Sequence, residues 1–465
     1  MLFSSLEFLY LFLPSALLVY FVAPRRFRNG VLLVLSLLFY AFGEPIFLLL
    51  MVGTVVVNYA FGLWISQSAR YARLLLWCAV AVDVGLLLFF KYYGLAASFL
   101  PLPALEIALP IGISFYTFQA LSYVIDVYRK TVSAQKSLSD FSAYVSLFPQ
   151  LIAGPIVRYA DVERELCARR HTVLGASEGA RRFVVGLAKK VLLANRAGQM
   201  WTSLRIANAQ DPTAIGSWLA VVCFSFQIYF DFSGYSDMAI GLGKIFGFSF
   251  PENFRYPYVA RSITDFWRRW HITLSSWFRE YVYIPLGGNR CGVFRTYRNL
   301  LITWGLTGLW HGASWNFVVW GLYFFCILAI EKAFLGRLLE RMPRLLRHAY
   351  ALLFVLIGWL IFAYDGSASG LAVTDGLAML GHMFGIGVPL AWNGHITFEL
   401  VRNLPWLIFM AFGCTAIPTK IYRAFAQRCP NAASVCASLG SGLLLLLCTA
   451  YLVDSGYNPF LYFRF

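Results

Sequence analysis

One histidine stands inside a long apolar stretch that carries no other charged side chain. Residues 300–330 contain no Asp, Glu, Lys or Arg, and His311 is their only ionisable group besides tyrosine and cysteine. As one helix this stretch would run about 46 Å, whereas the hydrocarbon core of a bilayer is about 30 Å thick. The cluster Gly305, Gly308 and Gly312 therefore predicts a break beside His311. An ionisable group at mid-membrane depth indicates function; the alternative is a neutral core histidine bonded to a neighbouring helix.

A second histidine, His271, lies in an aromatic segment, residues 263–284. Counted from Trp267, one helical face carries Trp267, Trp270, His271, Leu274, Trp277, Phe278 and Tyr281. This spacing predicts one interfacial helix with His271 on its inward face. The alternative is a histidine that only packs. Two neutral imidazoles that meet in one site can act as a base and a hydrogen-bond donor.

A third polar cluster lies between apolar flanks. Its members are Tyr229, Asp231, Ser233, Tyr235 and Asp237. Charges inside a membrane are costly unless they line a cavity or are paired. The cluster is therefore either the wall of a polar tunnel or, for its carboxylates, a set of partners for nearby basic residues. Those basic residues are Lys244, Arg255 and Arg261.

The composition predicts the fold class. Of 465 residues, 60% are hydrophobic and only 13% are charged, about half the charged share of a soluble protein. Soluble, disordered and fibrous classes are excluded, and the continuous apolar stretches exclude an outer-membrane barrel. We predict an all-α polytopic membrane protein with roughly 10–12 crossings and one membrane domain, residues 1–465. The candidate spans are 5–23, 31–43, 45–65, 73–91, 107–126, 140–157, 215–231, 234–248, 300–312, 314–331, 349–364, 403–419 and 437–454.

The basic residues explain the net charge of +16. They form short clusters between apolar stretches, which is typical of cytoplasmic loops and of attraction to anionic lipid headgroups rather than of nucleic-acid binding. Arg25 and Arg26 directly follow the first apolar stretch, residues 7–23. This order predicts an uncleaved first span with the N-terminus outside the cytoplasm. The nine cysteines form no C-x-x-C pair and are expected to be free thiols.

Residues 179–196 predict an amphipathic helix that lies in the headgroup plane. Apolar side chains face one way and basic side chains mostly face the other. The apolar set is Phe183, Val184, Leu187, Val191 and Ala194, and the basic set is Arg181, Arg182, Lys189, Lys190 and Arg196.

Several stretches, in order along nearly the whole chain, resemble the membrane-bound O-acyltransferase family, in particular its bacterial alginate O-acetylase type. The N-terminal matches are Met1-Leu-Phe-Ser-Ser, Leu109-Pro-Ile-Gly-Ile-Ser-Phe-Tyr116, Phe148-Pro-Gln-Leu-Ile-Ala-Gly-Pro155 and Tyr229-Phe-Asp-Phe-Ser-Gly-Tyr-Ser-Asp237-Met-Ala-Ile-Gly241. The later matches are Phe266-Trp-Arg-Arg-Trp-His271-Ile-Thr-Leu-Ser, Leu286-Gly-Gly-Asn-Arg290, Gly308-Leu-Trp-His-Gly-Ala313 and Asn458-Pro-Phe-Leu-Tyr-Phe-Arg-Phe465.

The resemblance implies that His311 is the main catalytic residue and His271 the second polar residue of the site. We expect Trp310, Tyr229, Asp231, Ser233, Tyr235, Asp237, Trp267, Trp277 and Asn316 to line the substrate tunnel. The resemblance also implies cytosolic acetyl-CoA as co-substrate, with no permanently bound cofactor. The acceptor is then an exported polysaccharide of the alginate or cellulose type, outside the bacterial inner membrane.

The acceptor hydroxyl belongs either to the sugar or to a serine of a periplasmic acetyltransferase partner within a polysaccharide synthesis and export complex. No carboxylate or cysteine stands at metal-ligand spacing near the two histidines, so no metal is expected. Two alternatives stay open. One is a transporter or flippase of a polymer precursor, and the other is an O-acyltransferase with another cargo, such as D-alanine.

Overall fold

The computed structural model describes residues 1–100, 103, 105, 107–364, 373–454 and 461. Within these residues the chain is helical and forms no β-strand. Apart from Leu461, the C-terminal stretch Asn458–Phe465 that resembles the family lies outside the described residues.

Eight helices of the described chain are long and apolar enough to cross a membrane, which confirms an all-α polytopic membrane protein. They are Arg25–Gly43, Phe47–Gln67, Ala72–Phe99, Ala214–Ile245, Trp315–Arg341, Arg344–Ala363, Gly394–Gly413 and Pro430–Asp454, and a shorter apolar helix covers Phe8–Val22. The predicted spans 215–231 and 234–248 form one helix of 32 residues, because the Gly234 between them does not interrupt the backbone hydrogen bonds.

The remaining helices are shorter or more polar, and some of the predicted crossings fall on them. They are Ile113–Tyr128, Leu138–Ser146, Phe148–Leu151, Tyr159–Cys167, Val173–Ala188, Asn195–Gln210, Ile263–Trp267, Ile272–Phe278, Val293–His311, Val373–Met383 and Ile417–Arg428. π-Helical turns continue several helices of the chain, at Lys189–Ala194, Arg279–Tyr283 and Glu331–Leu335.

Contacts divide the chain into two compact units. The first unit, Met1–Leu187 with Tyr235–Glu252, has an aromatic core in which the rings of Phe3 and Tyr235 stack at 4.6 Å between centroids. Its Arg182 pairs with Asp237 at 2.8 Å and with Glu252 at 2.6 Å. Asp237 therefore pairs with a residue 55 positions upstream and not with the neighbouring Lys244, whose partner is Glu178.

The second unit comprises Ala188–Gly234 and Asn253–Phe465. Its centre includes a tight helical hairpin, Val293–His311 against Trp315–Ile330. A Cβ at Gly321 would lie 2.6 Å from the carbonyl oxygen of Trp304. Only glycine therefore permits this close approach of the two backbones.

The amphipathic pattern over residues 179–196 is confirmed for its apolar side, since Phe183, Val184, Leu187, Val191 and Ala194 are all buried. Lys190 differs from the prediction. The helical spacing places it in the basic set, but it is 2% exposed and its ammonium group lies 2.7 Å from Asp231. An ion pair inside the second unit thus overrides the helical periodicity at this position. It also corrects the predicted partners of Asp231.

Candidate active site

His311 is the last residue of the helix Val293–His311. The predicted break is confirmed, because the next helix begins only at Trp315 and Gly312 between them is extended, with φ 170°. The imidazole is 7% exposed. The rings of Trp320 and Phe362 each meet it nearly perpendicularly, at 5.0 Å between centroids. Aromatic side chains therefore fix the plane of the ring.

His271 lies in a break and not in a continuous helix. One helix ends at Trp267, the next begins at Ile272, and His271 has φ 43° and ψ 55°. This left-handed conformation is strained for any residue with a Cβ, and such strain concentrates at functional sites. The prediction of a single helix over 263–284 is therefore wrong in its geometry. Most of the side chains that were predicted to face inward are nevertheless buried, namely Trp270, His271, Leu274, Trp277 and Phe278.

Asn253 stabilises this break from 18 residues upstream. Its backbone carbonyl accepts a hydrogen bond of 3.0 Å from the amide of Ile272. Its side-chain oxygen accepts hydrogen bonds from the backbone amide of Thr273 at 3.4 Å and from the Thr273 hydroxyl at 3.0 Å. The same oxygen lies 3.0 Å from Nδ1 of His271. Asn253 is completely buried, so these bonds are shielded from water.

The contact with Asn253 determines the protonation of His271. A backbone amide only donates, so the Asn253 atom that meets the amide of Thr273 is the oxygen. Nδ1 of His271 must then carry the hydrogen, and Nε2 carries the lone pair. Burial lowers the pKa of His271 to about 3, so the ring is neutral at pH 7. In this form Nε2 of His271 accepts a hydrogen bond and does not donate one.

His271 and His311 line one cavity of about 250 Å³, called here the histidine cavity. Most of its wall is aromatic or aliphatic, and its polar groups include Thr264, Arg268, Ser275, Arg279, Thr303 and Thr307. The aromatic rings of this wall pack against one another. The ring of Trp267 lies 4.8 Å from that of Trp304 and 5.5 Å from that of Trp320, measured between centroids. The structure therefore brings together two imidazoles that are 40 residues apart in sequence, within an apolar pocket.

Two larger cavities, each lined in part by basic residues, adjoin the histidine cavity. The first, about 840 Å³, is lined by five basic residues, Arg261, Arg268, Arg269, Lys332 and Arg347, and by three carboxylates, Asp265, Glu331 and Glu340. The second, about 960 Å³, is lined by Arg268, Arg279 and Arg290 and by no carboxylate. Arg268 contributes to all three cavities and Arg279 to two of them. Positive charge therefore surrounds the approach to the two histidines.

The predicted tunnel residues divide into three groups. Trp267 lines the histidine cavity, and the ring of Trp310 lies beside both imidazoles, 6.2 Å from that of His271 and 4.9 Å from that of His311. Tyr229, Asp231, Ser233, Trp277 and Asn316 belong to the second unit but are not among the residues that line the cavity. Tyr235 and Asp237 belong to the first unit.

Two residues of the second group make contacts that hold helices together. The side-chain amide of Asn316 donates to the carbonyl oxygen of Phe362 at 3.2 Å and thereby ties two helices near His311. The ring of Tyr229 packs 6.2 Å from that of Trp270, one residue before His271.

Sequence reasoning missed several residues that line the cavity or position its histidines. Trp304, Thr307, Trp320 and Phe362 line the cavity, yet in the sequence they are indistinguishable from other residues of apolar spans. Thr307 follows Thr303 at helical spacing and precedes His311 by four residues, so it shares a helix face with both. That spacing is the one signal that was available. Asn253 was missed because its role depends on a contact across the fold.

Among the described residues, no group of three or more His, Cys, Asp or Glu side chains could hold a metal ion. The cavity itself offers two imidazoles for proton transfer and hydrogen bonding, and arginines for an anionic substrate.

Comparison with known proteins shows the family of the chain. Residues 132–374 match the model of the membrane-bound O-acyltransferase family. The chain is 40% identical to the "Probable alginate O-acetylase AlgI" of Pseudomonas putida over the full length of both proteins. It is 46% identical to the protein of the same name from Pseudomonas aeruginosa over 78% of this chain and 72% of that protein.

A peptidoglycan O-acetyltransferase of Helicobacter pylori is 32% identical over 100% of this chain and 98% of its own. The match to the family model covers more than half of the chain and includes both histidines of the cavity. The protein belongs to the membrane-bound O-acyltransferase family and is a multi-pass membrane O-acyltransferase.

Proposed function

We propose that the protein transfers acetyl groups from cytosolic acetyl-CoA across the bacterial inner membrane, for the O-acetylation of an exported polysaccharide. The observation that carries this proposal is the convergence of His271 and His311 on one apolar cavity that adjoins two basic cavities. Acetyl-CoA needs an apolar pocket for its acetyl thioester and positive charge for the phosphates of its CoA part. The second unit offers both next to each other.

The arginines support a phosphate-bearing donor. Asp265 accepts a hydrogen bond of 2.8 Å from Arg269, and Glu331 accepts from the backbone amides of Ile263 and Thr264. Asp265 and Glu331 therefore already have partners within the fold, and the third carboxylate that lines the first cavity, Glu340, is exposed. Arg268 and Arg279, both exposed, are placed between the histidine cavity and its neighbours. Guanidinium groups bind phosphate oxygens in a bidentate manner, so these two are our candidates for contacts with the donor.

His311 acts as the general base in the proposed reaction. The acceptor hydroxyl loses its proton to His311, its oxygen bonds to the carbonyl carbon of the thioester, and a tetrahedral oxyanion forms. The oxyanion then collapses, the carbon–sulfur bond breaks, and protonated His311 returns its proton to the CoA thiolate. The products are an acetyl ester and CoA. General-base catalysis of this kind contributes roughly 10²–10⁴-fold to the rate.

The acceptor class rests on the relatives. Two of them are named for the acetylation of alginate and one for the acetylation of peptidoglycan, and both acceptors are polysaccharides outside the cytoplasm. We propose an alginate or cellulose type of polymer. It is acetylated either directly or through a serine of a periplasmic acetyltransferase within the export complex.

The proposed orientation follows the basic clusters. Arg25 and Arg26 follow the first apolar helix, Phe8–Val22, so the positive-inside rule places them in the cytoplasm and the N-terminus in the periplasm. In this arrangement residues 1–465 act as one membrane domain that takes the donor from one side and delivers the acetyl group to the other.

The test uses purified protein in lipid nanodiscs with acetyl-CoA labelled in its acetyl group. We expect CoA release by the wild type, loss of that release in His311→Ala, and retention in His382→Gln, a histidine that does not line the histidine cavity. The labelled product identifies the acceptor. CoA release that persists in a well-folded His311→Ala variant would contradict the role of His311.

The transporter alternative makes a different prediction. A transporter or flippase does not consume acetyl-CoA, so absence of CoA release even with polymer and periplasmic fractions present would favour it. If the protein transfers the acyl group of a D-alanyl donor but not that of acetyl-CoA, the result would instead favour D-alanine as the acyl cargo.

A further inference from the structure

The strained backbone of His271 and its contact with Asn253 together suggest a division of labour between the two histidines. The left-handed conformation of His271 orients its ring at the point where the helices Ile263–Trp267 and Ile272–Phe278 meet. The Asn253 carbonyl bonds to the amide of Ile272, and its side chain to Thr273. Asn253 therefore bonds both to the imidazole of His271 and to the backbone that follows it.

The side of the ring that reaches substrate follows from this contact. His271 lines the histidine cavity, whereas Asn253, on Nδ1, does not. Because Asn253 bonds to Nδ1, we assign a group bound in the cavity to the other ring nitrogen, Nε2. With the hydrogen on Nδ1, Nε2 presents a lone pair.

We propose that Asn253 is a positioning residue that fixes the tautomer and the strained backbone of His271, so that Nε2 of His271 accepts a hydrogen bond from the hydroxyl group that is to be acylated. The inference rests on the proposed O-acyl transfer and assigns His271 to the orientation of the acceptor hydroxyl. His311 remains the base, and His271 does not donate to the oxyanion.

The charges around the ring agree with a neutral acceptor. The titratable side chains that line the same cavity are Arg268, Arg279, Tyr283 and His311, and no carboxylate is among the lining residues. Two guanidinium groups and a desolvated ring disfavour the imidazolium form. Asn253 is neutral and accepts the Nδ1 hydrogen without adding negative charge, so it selects the tautomer while leaving the ring uncharged.

Three variants test the proposal. Asn253→Ala removes the acceptor, and we expect kcat to fall at least tenfold while KM for acetyl-CoA stays within about twofold, since the donor site is intact. Asn253→Asp keeps an oxygen acceptor but adds a negative charge, which raises the pKa of His271. Thr273→Val is the matched control, because it removes one bond to the Asn253 oxygen but leaves the contact with His271.

The pH profile of kcat separates a positioning role from a merely structural one. We expect the Asn253→Asp variant to recover most activity at high pH. Its kcat should fall at acid pH, because a protonated Nε2 no longer accepts a hydrogen bond from the acceptor hydroxyl. The wild type and Thr273→Val should not show this fall. Equal losses in the Ala and Asp variants, with an unchanged pH profile, would overturn the proposal.

A second measurement does not depend on acyl transfer. NMR of isotope-labelled histidine, with His271 identified by its absence in His271→Gln, distinguishes a protonated Nδ1 from a protonated Nε2. We expect the Nδ1–H tautomer in the wild type and its loss or mixture in Asn253→Ala. If that pattern is found but acetyl-CoA is never consumed, the proposed function fails while the tautomer assignment stands. An Nε2–H tautomer in the wild type would refute the inference itself.

Discussion

The ammonium group of Lys190 lies 2.7 Å from a carboxylate oxygen of Asp231, and each side chain is only 3% exposed. The other carboxylate oxygen accepts a hydrogen bond of 2.7 Å from the backbone amide of Leu461. Asp231 directly precedes Phe232, whose ring stands perpendicular to that of His271 at 4.7 Å between centroids. The ion pair therefore secures the stretch of helix that forms one wall of the histidine cavity.

Breaking this pair should destabilise the protein strongly. Lys190→Met leaves the carboxylate of Asp231 buried without its counter-charge, which costs about 3–5 kcal/mol. We expect thermal unfolding in detergent to shift to a clearly lower temperature. The double variant Lys190→Met with Asp231→Leu should recover most of the loss, because no unpaired charge remains. Lys420→Met, at an exposed position, serves as control. A Lys190→Met protein as stable as the control would show that the pair contributes nothing.

His271 makes stability depend on acid pH in a direction that can be worked out. Its pKa is lowered from 6.5 to about 3 by burial, so between these values the unfolded chain binds a proton that the folded protein does not. The free energy of unfolding therefore falls as the pH is lowered through this range, by at most about 1.4 kcal/mol per pH unit. Above about pH 6.5 both states are neutral and the contribution is constant.

The measurement is thermal unfolding of the wild type and of His271→Gln from pH 4 to pH 8. The stability of the wild type relative to the variant should decrease below about pH 6.5, because the variant lacks the titrating group. His382→Gln should follow the wild type. Parallel curves for wild type and His271→Gln over the whole range would mean that the ring is not held neutral in the folded protein.

Glu331 anchors the helix that leads to His271. Its carboxylate accepts hydrogen bonds from the backbone amides of Ile263 and Thr264, at 2.7 and 2.9 Å, and from the hydroxyl groups of Thr264 and Tyr350, at 2.6 and 3.1 Å. A buried carboxylate that satisfies the first amides of a helix acts as an N-cap supplied from elsewhere in the chain.

Glu331→Gln should cost stability and activity together. The amide nitrogen of glutamine replaces an oxygen that accepts from two of the four donors, and the charge is lost. Hydrogen bonds to a charged group contribute about 1.5–3 kcal/mol. The helix Ile263–Trp267 then loses its anchor, so CoA release should fall as well. Glu340→Gln, at an exposed carboxylate, should lie within about 0.5 kcal/mol of the wild type. Wild-type stability of Glu331→Gln would refute the anchoring role.

The parts of the site that local patterns determine could be predicted from the sequence. The excess length of the apolar stretch and its glycines predicted the break at His311, and the aromatic spacing predicted which side chains near His271 are buried. Both signals lie within about 20 residues of the histidine concerned.

The parts that depend on distant contacts could not be predicted. The left-handed turn at His271 requires Asn253, and the burial of Lys190 requires Asp231, 41 positions downstream. In each case helical periodicity predicted the regular outcome, a continuous helix or an outward lysine. Hydrogen bonds or an ion pair formed across the fold then stabilise the exception. A single sequence shows which residues can make such bonds but not which of them meet.

Arg268 and Arg279 should set the affinity for the donor. Each lies between the histidine cavity and a basic neighbour, so its loss should raise KM for acetyl-CoA about tenfold, equivalent to about 1.4 kcal/mol, while kcat changes little. Arg337→Ala is the matched control, since Arg337 is exposed but lines none of the three cavities. Added salt should weaken donor binding to the wild type more than to either variant, because part of the attraction is electrostatic.

A shorter donor separates phosphate binding from a general effect on the site. Acetyl-pantetheine carries the same thioester but none of the phosphates of CoA. If Arg268 and Arg279 bind phosphate, the Ala variants and the wild type should use acetyl-pantetheine with the same KM, and the difference between them should appear only with acetyl-CoA. A loss of equal size with both donors would mean instead that the arginines shape the histidine cavity itself. The phosphate contacts would then have to be assigned to the remaining basic residues, Arg261, Arg269, Arg290, Lys332 and Arg347.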